Sequence, residues 1–139
     1  SVASTSSHNT MVDTGFSTAI TPASTSNKVL VFFNTNLQML TGQYSGGISI
    51  LRGSTTIRTG STGSNRATAG FWSPSDAYHM NYFTGMVLDS PSSTSAVTYK
   101  IQFASGYSGQ TVYMNRSHNG TNHFDITSTM ILMEIAGWL

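Results

Sequence analysis

The closing stretch Met130-Ile131-Leu132-Met133-Glu134-Ile135 is apolar at both parities, so a strand built from it must be covered on both faces. By contrast, in Val97-Thr98-Tyr99-Lys100-Ile101-Gln102-Phe103 the apolar Val97, Tyr99, Ile101 and Phe103 alternate with polar residues, the period-2 signal of a half-buried strand. One face of that strand is wet. The second cover of the closing strand must come from a second layer of the same chain or from another subunit. The latter reading puts Ile131, Met133 and Ile135 at an interface between copies.

Only 11 of the 139 residues are Asp, Glu, Lys or Arg, about a third of the ~25% usual in globular domains. Hydroxyls and amides take their place: 22 Ser, 20 Thr and 9 Asn favour strands and polar loops over long exposed helices. The length is that of one domain able to bury a substantial core. With no cysteine, its stability rests on packing and association. A formal net charge of +1 gives no field to attract nucleic acid or an anionic membrane. No apolar run approaches the ~20 residues of a membrane helix, and no nucleic-acid partner or membrane insertion is expected. Arg52, Arg58 and Arg66 lie in Gly/Ser/Thr-rich sequence and read as solvated loop and strand-edge charges.

Along the chain, residues 1–10 are polar and of low complexity, an arm or linker, and residues 11–139 form the domain. Met11 to Ile20 reads as a strand interrupted at Gly15, and Lys28 to Phe33 as a central strand that extends towards Met39 before a loop at Gly42 to Gly47. Ile48 to Arg52 and Thr55 to Arg58 form a hairpin about Gly53-Ser54. Arg66 to Trp72 is a further short strand. Tyr78 to Asp89 alternates Met80, Tyr82, Thr84, Met86 and Leu88 with Asn81, Phe83, Gly85, Val87 and Asp89, and the first set is expected to face the core. The strands from Val97, Thr111 and Met130 follow. About eight or nine short antiparallel strands at this spacing, without βα alternation, make an all-β sandwich or barrel.

Three blocks carry a resemblance to a known family. Asp13-Thr14-Gly15-Phe16 with Ala19-Ile20-Thr21-Pro22 and Ser26-Asn27-Lys28-Val29-Leu30-Val31 resembles the first two strands of a β-domain of phage virion proteins, especially tail-fibre-like proteins of marine and cyanobacterial phages. Leu88-Asp89-Ser90-Pro91 with Thr98-Tyr99-Lys100 is similar to its later strands. So is Val112-Tyr113-Met114-Asn115-Arg116-Ser117 with Ser128-Thr129-Met130-Ile131-Leu132-Met133-Glu134-Ile135-Ala136. The resemblance implies a jelly-roll β-sandwich built like the tumour-necrosis-factor and complement-type heads, which form homotrimers. It further implies a place on the virion surface, in a tail fibre or on the capsid exterior, among other virion proteins. A complete tail fibre also needs a tail-docking segment, for which these 139 residues have no room, so the resemblance fits a distal head or a capsid decoration protein.

Chemistry is sparse. Five carboxylates are scattered over five strands or loops and give no local acid–base pair. Gln43-Tyr44-Ser45-Gly46-Gly47 lacks the first Gly of a nucleophile elbow. Asp76 with His79, and His118 with His123 and Asp125, have no diagnostic metal spacing, so no catalytic residue, metal or cofactor is expected. A His from each of three subunits meeting on an axis is the one arrangement that a single-chain pattern would hide. Tyr44, Trp72, Tyr78, His79, Tyr107 and Phe124 stand in or beside polar loops where an aromatic ring can stack on a sugar or enter a protein pocket. The expected function is non-enzymatic: a trimeric, tail-fibre-like head that binds a host receptor or glycan through these loops. Capsid decoration is the alternative, and polysaccharide hydrolysis the remote one. Glu134, inside the apolar closing strand, is expected at its solvent edge or paired with a cation such as Arg116.

Overall fold

A computed structural model describes residues 3–8, 10–39, 45–58, 71–73, 80–116 and 125–137, with the backbone alone at 3 and 71–73. The described residues form ten strands and no helix: β1 (Ala3–Thr5), β2 (Val12–Ile20), β3 (Lys28–Met39), β4 (Gly46–Arg52), β5 (Thr55–Arg58), β6 (Phe71–Ser73), β7 (Asn81–Asp89), β8 (Val97–Ser105), β9 (Val112–Met114) and β10 (Thr129–Ile135). All strand pairings are antiparallel.

Two five-stranded sheets result. In the first, β3 is central. Val29 to Leu37 pair with β7 on one side; on the other, the first half of β3 pairs with β10 and its end with β9, which in turn carries β1. In the second, the order is β2-β8-β4, and β5 and β6 share the far edge of β4. The chain crosses between sheets from β1 to β2, β2 to β3, β3 to β4, β6 to β7, β7 to β8 and β8 to β9. These crossings stack the sheets as a sandwich rather than a meander.

The core is the space between the sheets. Val29, Val31, Phe33, Leu37, Met39, Val87, Val112 and Met114 come from one sheet, and Ile48, Ile50, Tyr99, Ile101 and Phe103 from the other. β8 behaves as its alternation requires, with Tyr99, Ile101 and Phe103 fully buried and Thr98, Lys100 and Gln102 on the outside. On that outer surface Asp13 accepts from Lys100 Nζ at 2.8 Å and Gln102 Nε2 at 2.6 Å. Gly15, at φ +75°, lies within the irregular register between Asp13 and Ser17, where a left-handed residue lets the strand bulge.

Three features of the fold depart from the sequence reading. In β7 the inward set is Phe83, Gly85 and Val87, and the set expected inside, Tyr82, Thr84, Met86 and Leu88, is exposed. The outward parity is the more apolar of the two, so alternation pointed to the wrong face. The choice falls to small residues that fit against the sandwich centre and to Asp89, whose inward position is matched by a cation. That cation is Arg52, which is only a quarter exposed and not a solvated charge. Its Nη1 donates to both Asp89 oxygens at 2.9 and 2.8 Å and to the Ser90 carbonyl at 3.1 Å. Tyr99 Oη donates to Asp89 at 2.7 Å, so β4, β7 and β8 are tied across the end of the core. Burial, and then the bond to Asp89, raises the Tyr99 pKa well above the ordinary phenol value. Finally, Gly46 and Gly47, expected in a loop, open β4 instead.

Candidate interaction surface

The outer face of the β7-β3-β10 sheet is built from the second parity of three strands that are apolar on both sides. Register fixes its rows: Met133–Leu30–Leu88, then Ile131–Phe32–Met86, then Thr129–Asn34–Thr84. Ile135 stands opposite Lys28, and Tyr82 opposite Asn36. The large hydrophobic residues exposed among the described ones are Tyr82, Met86, Leu88, Ile131, Met133, Ile135 and Tyr107. All but Tyr107 lie on this face.

At roughly half exposure each, such side chains present on the order of 500–700 Å² together with Leu30 and Phe32, at the upper end of the roughly 300–600 Å² of a typical monomer's largest patch, which is often functional, and close to the ~800 Å² that one partner gives a standard interface. The only charge among these row residues is Lys28, at the end of the face. Together with Ser26, Leu88, Ile135, Ala136 and Gly137 it lines a shallow depression there. The outer face of the opposite sheet carries Thr98, Lys100 and Gln102 instead, so the two faces differ in kind.

Local contacts fasten both ends of β10. Glu134 stands at the solvent edge of β10, the first of the two positions expected for it, and is not paired with Arg116. Its exposed carboxylate accepts from Asn27 Nδ2 at 2.5 Å and from the Ala23 amide at 2.6 Å. These bonds, that from Asn27 first, hold its pKa below the ordinary carboxylate value. Asn27 Oδ1 in turn accepts from the Gly137 amide at 3.0 Å. The end of β10 is thereby fastened to the β2–β3 turn. Arg116 instead lies over the Tyr113 ring, 4.5 Å from its centroid.

At the other end of β3, Thr35, Ser128, Asn115 and Asn36 form a closed polar cluster. Ser128 Oγ donates to Asn115 Oδ1 at 2.6 Å and lies 2.7 Å from Thr35 Oγ1. Asn36 Nδ2 donates to Asn115 Oδ1, and the Asn115 amide donates back to Asn36 Oδ1, both at 2.9 Å. Asn115 itself is left-handed at φ 62°, a conformation that Asn tolerates better than most residues. The cluster anchors the segment that leads into β10.

Of the residues named from sequence, Ile131, Met133 and Ile135 lie together on the apolar outer face, between 42% and 45% exposed. Tyr107 lies in the β8–β9 turn, half exposed, with its ring 6.3 Å from that of His8 and tilted by 50°. Tyr44, Tyr78, His79 and Phe124 lie outside the described residues, as do Arg66, Asp76, His118 and His123. For Trp72 only the backbone is described, opposite Gly47 in β6. Sequence reasoning did not assign Leu30, Phe32, Tyr82, Met86 and Leu88 to this surface, although double-parity apolarity in three strands marked it. Among the described residues no group of three His, Asp or Glu is placed to hold a metal ion. No family model matches the chain, and no curated protein matches it.

Proposed function

We propose that this chain is a non-enzymatic jelly-roll head that associates as a homotrimer through the outer face of the β7-β3-β10 sheet. We place it on the surface of a phage virion, as a tail-fibre-like domain that binds a host receptor or glycan. The observation that carries the proposal is the contrast between the two sheets, one apolar outside and the other polar. A β-sandwich displayed alone in water has no use for Met86, Leu88, Ile131 and Met133 on one wall, whereas a subunit of a closed oligomer does.

The sheet order supports the jelly-roll part of the reading: β10-β3-β7 faces β2-β8-β4-β5, with the chain passing between sheets at successive connections. Three of the five carboxylates are engaged structurally, Asp13 with Lys100, Asp89 with Arg52 and Tyr99, and Glu134 with Asn27. That supports a binding role over acid–base chemistry. The virion assignment rests on the sequence resemblance.

Immunogold labelling of intact virions with an antibody against this chain tests the assignment. Gold at fibre tips is the expected result. Gold over the head would replace receptor binding with capsid decoration, and virions of the source phage without gold would remove the virion assignment.

A further inference from the structure

We infer that β1 is an exchangeable arm, and that the slot it fills along β9 takes the same segment of a second copy when chains associate. The inference rests on the self-association proposed above and adds a second, strand-mediated contact to it.

The slot needs an occupant. β9 is three residues long and lies between β3 and β1, so without β1 its outer edge is bare. Ser105 is fully buried, and its amide donates to the Ser7 carbonyl at 2.8 Å, beside a parallel bridge from His8 to Ser105. Removing the arm would leave this buried donor without its acceptor, and native folds rarely tolerate that.

The occupant is held in a way that does not identify its chain. Ser4, Ser6 and His8 are exposed, Thr5 and Ser7 half-buried, and none of them joins the core cluster. The arm is held by main-chain pairing, Ala3 to Met114, Ser4 to Tyr113 and Thr5 to Val112. A second copy's arm reproduces each of these contacts, the condition under which exchange between protomers costs little.

Position favours the exchange. The row Ser4–Tyr113–Gln38 belongs to the same sheet as the apolar face but lies at the far end of β3, beyond the buried Asn36. A copy seated on that face packs against the sheet that holds the slot. Three residues separate the His8 contact from Val12 at the start of β2, a reach of about 10 Å in an extended chain. Within an assembly already held by the apolar face, reaching the neighbouring slot is an intramolecular step at high effective concentration.

The chain has no cysteine, so one engineered pair can report which chain fills the slot. Ser4 and Tyr113 are register partners across β1 and β9, at a separation that a disulfide spans. The S4C/Y113C double variant, oxidised after assembly and run without reductant, is expected to give covalent multimers that collapse to single chains on reduction. Single chains carrying an internal disulfide would overturn the exchange, as would free thiols in a normally assembled protein. If the double variant does not fold, the single variants S4C and Y113C refolded together give the same answer. A Ser4–Tyr113 link between the two forms only across copies, and its absence by mass spectrometry would again overturn the exchange. Light scattering on the wild type separates the two ideas. A monomer ends the self-association reading, whereas an oligomer with internal disulfides ends arm exchange alone.

Discussion

Met86→Asp separates a surface residue from an interface residue. Met86 is 61% exposed in the isolated chain, so in a monomer the substitution removes little packing and places a carboxylate in water. If a second copy covers that side chain, the balance changes. The uncovered part is about 120 Å² of a side chain of roughly 200 Å², which at about 25 cal/mol per Å² is worth about 3 kcal/mol of association. That alone is about a hundredfold in the dissociation constant. Burying an unpaired carboxylate there costs several kcal/mol more, so assembly should be lost altogether. Sedimentation equilibrium over a dilution series measures it, with urea unfolding of the separated protomer as a check on the fold. Thr98→Asp, on the polar face of the other sheet, should leave assembly unchanged. A Met86→Asp protein that associates like the wild type, with its fold intact, would refute the assignment of this face.

Three further outcomes follow from the contacts described. Asp89→Asn breaks the ion pair with Arg52 and weakens the bond from Tyr99, and should lower the unfolding free energy by about 2–4 kcal/mol in urea titration. Gly137→Ala drives a Cβ into the Ser26 carbonyl oxygen. It should release the end of β10, seen as faster amide exchange at residues 133–137 while β8 stays protected. Tyr99, whose pKa is raised by burial and by Asp89, contributes stability that is present below the ordinary phenol pKa of 10 and is lost as pH rises above it. Unfolding midpoints should therefore fall above pH 10, and less so in Tyr99→Phe. The depressed carboxylates Asp13 and Glu134 have the opposite sign, contributing above their ordinary pKa and losing that contribution as pH falls through the lower folded value.

The sequence was most readable where side chains differ across a strand. Thr98, Lys100 and Gln102 against Tyr99, Ile101 and Phe103 placed β8 and its two faces directly. The closing strand was legible for the opposite reason, since Met130 and Leu132 pack on the core while Ile131, Met133 and Ile135 point outward. β7 was not legible in this way. Its outward parity is the more apolar one, and a one-residue change of register exchanges the two completely. What decides between them is the Arg52–Asp89 pair, formed by residues 37 apart, which no local pattern encodes. Pairing of β1 with β9 joins residues more than a hundred positions apart, so a polar, low-complexity segment read as an arm gave no sign of its partner. Glu134 looked anomalous within an apolar strand because its partners, Asn27 and the Ala23 amide, belong to a distant turn.

Hydroxyl-radical footprinting of the assembled wild-type protein, read by mass spectrometry at individual residues, tests most directly whether the apolar face is covered. Tyr107, 49% exposed and away from that face, is an internal reference, and the fully buried Met39 and Met114 set the floor. Met86 and Met133 should oxidise at rates near that floor and recover their reactivity on dilution to single chains. Oxidation of both at the rate of freely exposed methionines, in the concentrated protein, would contradict the account.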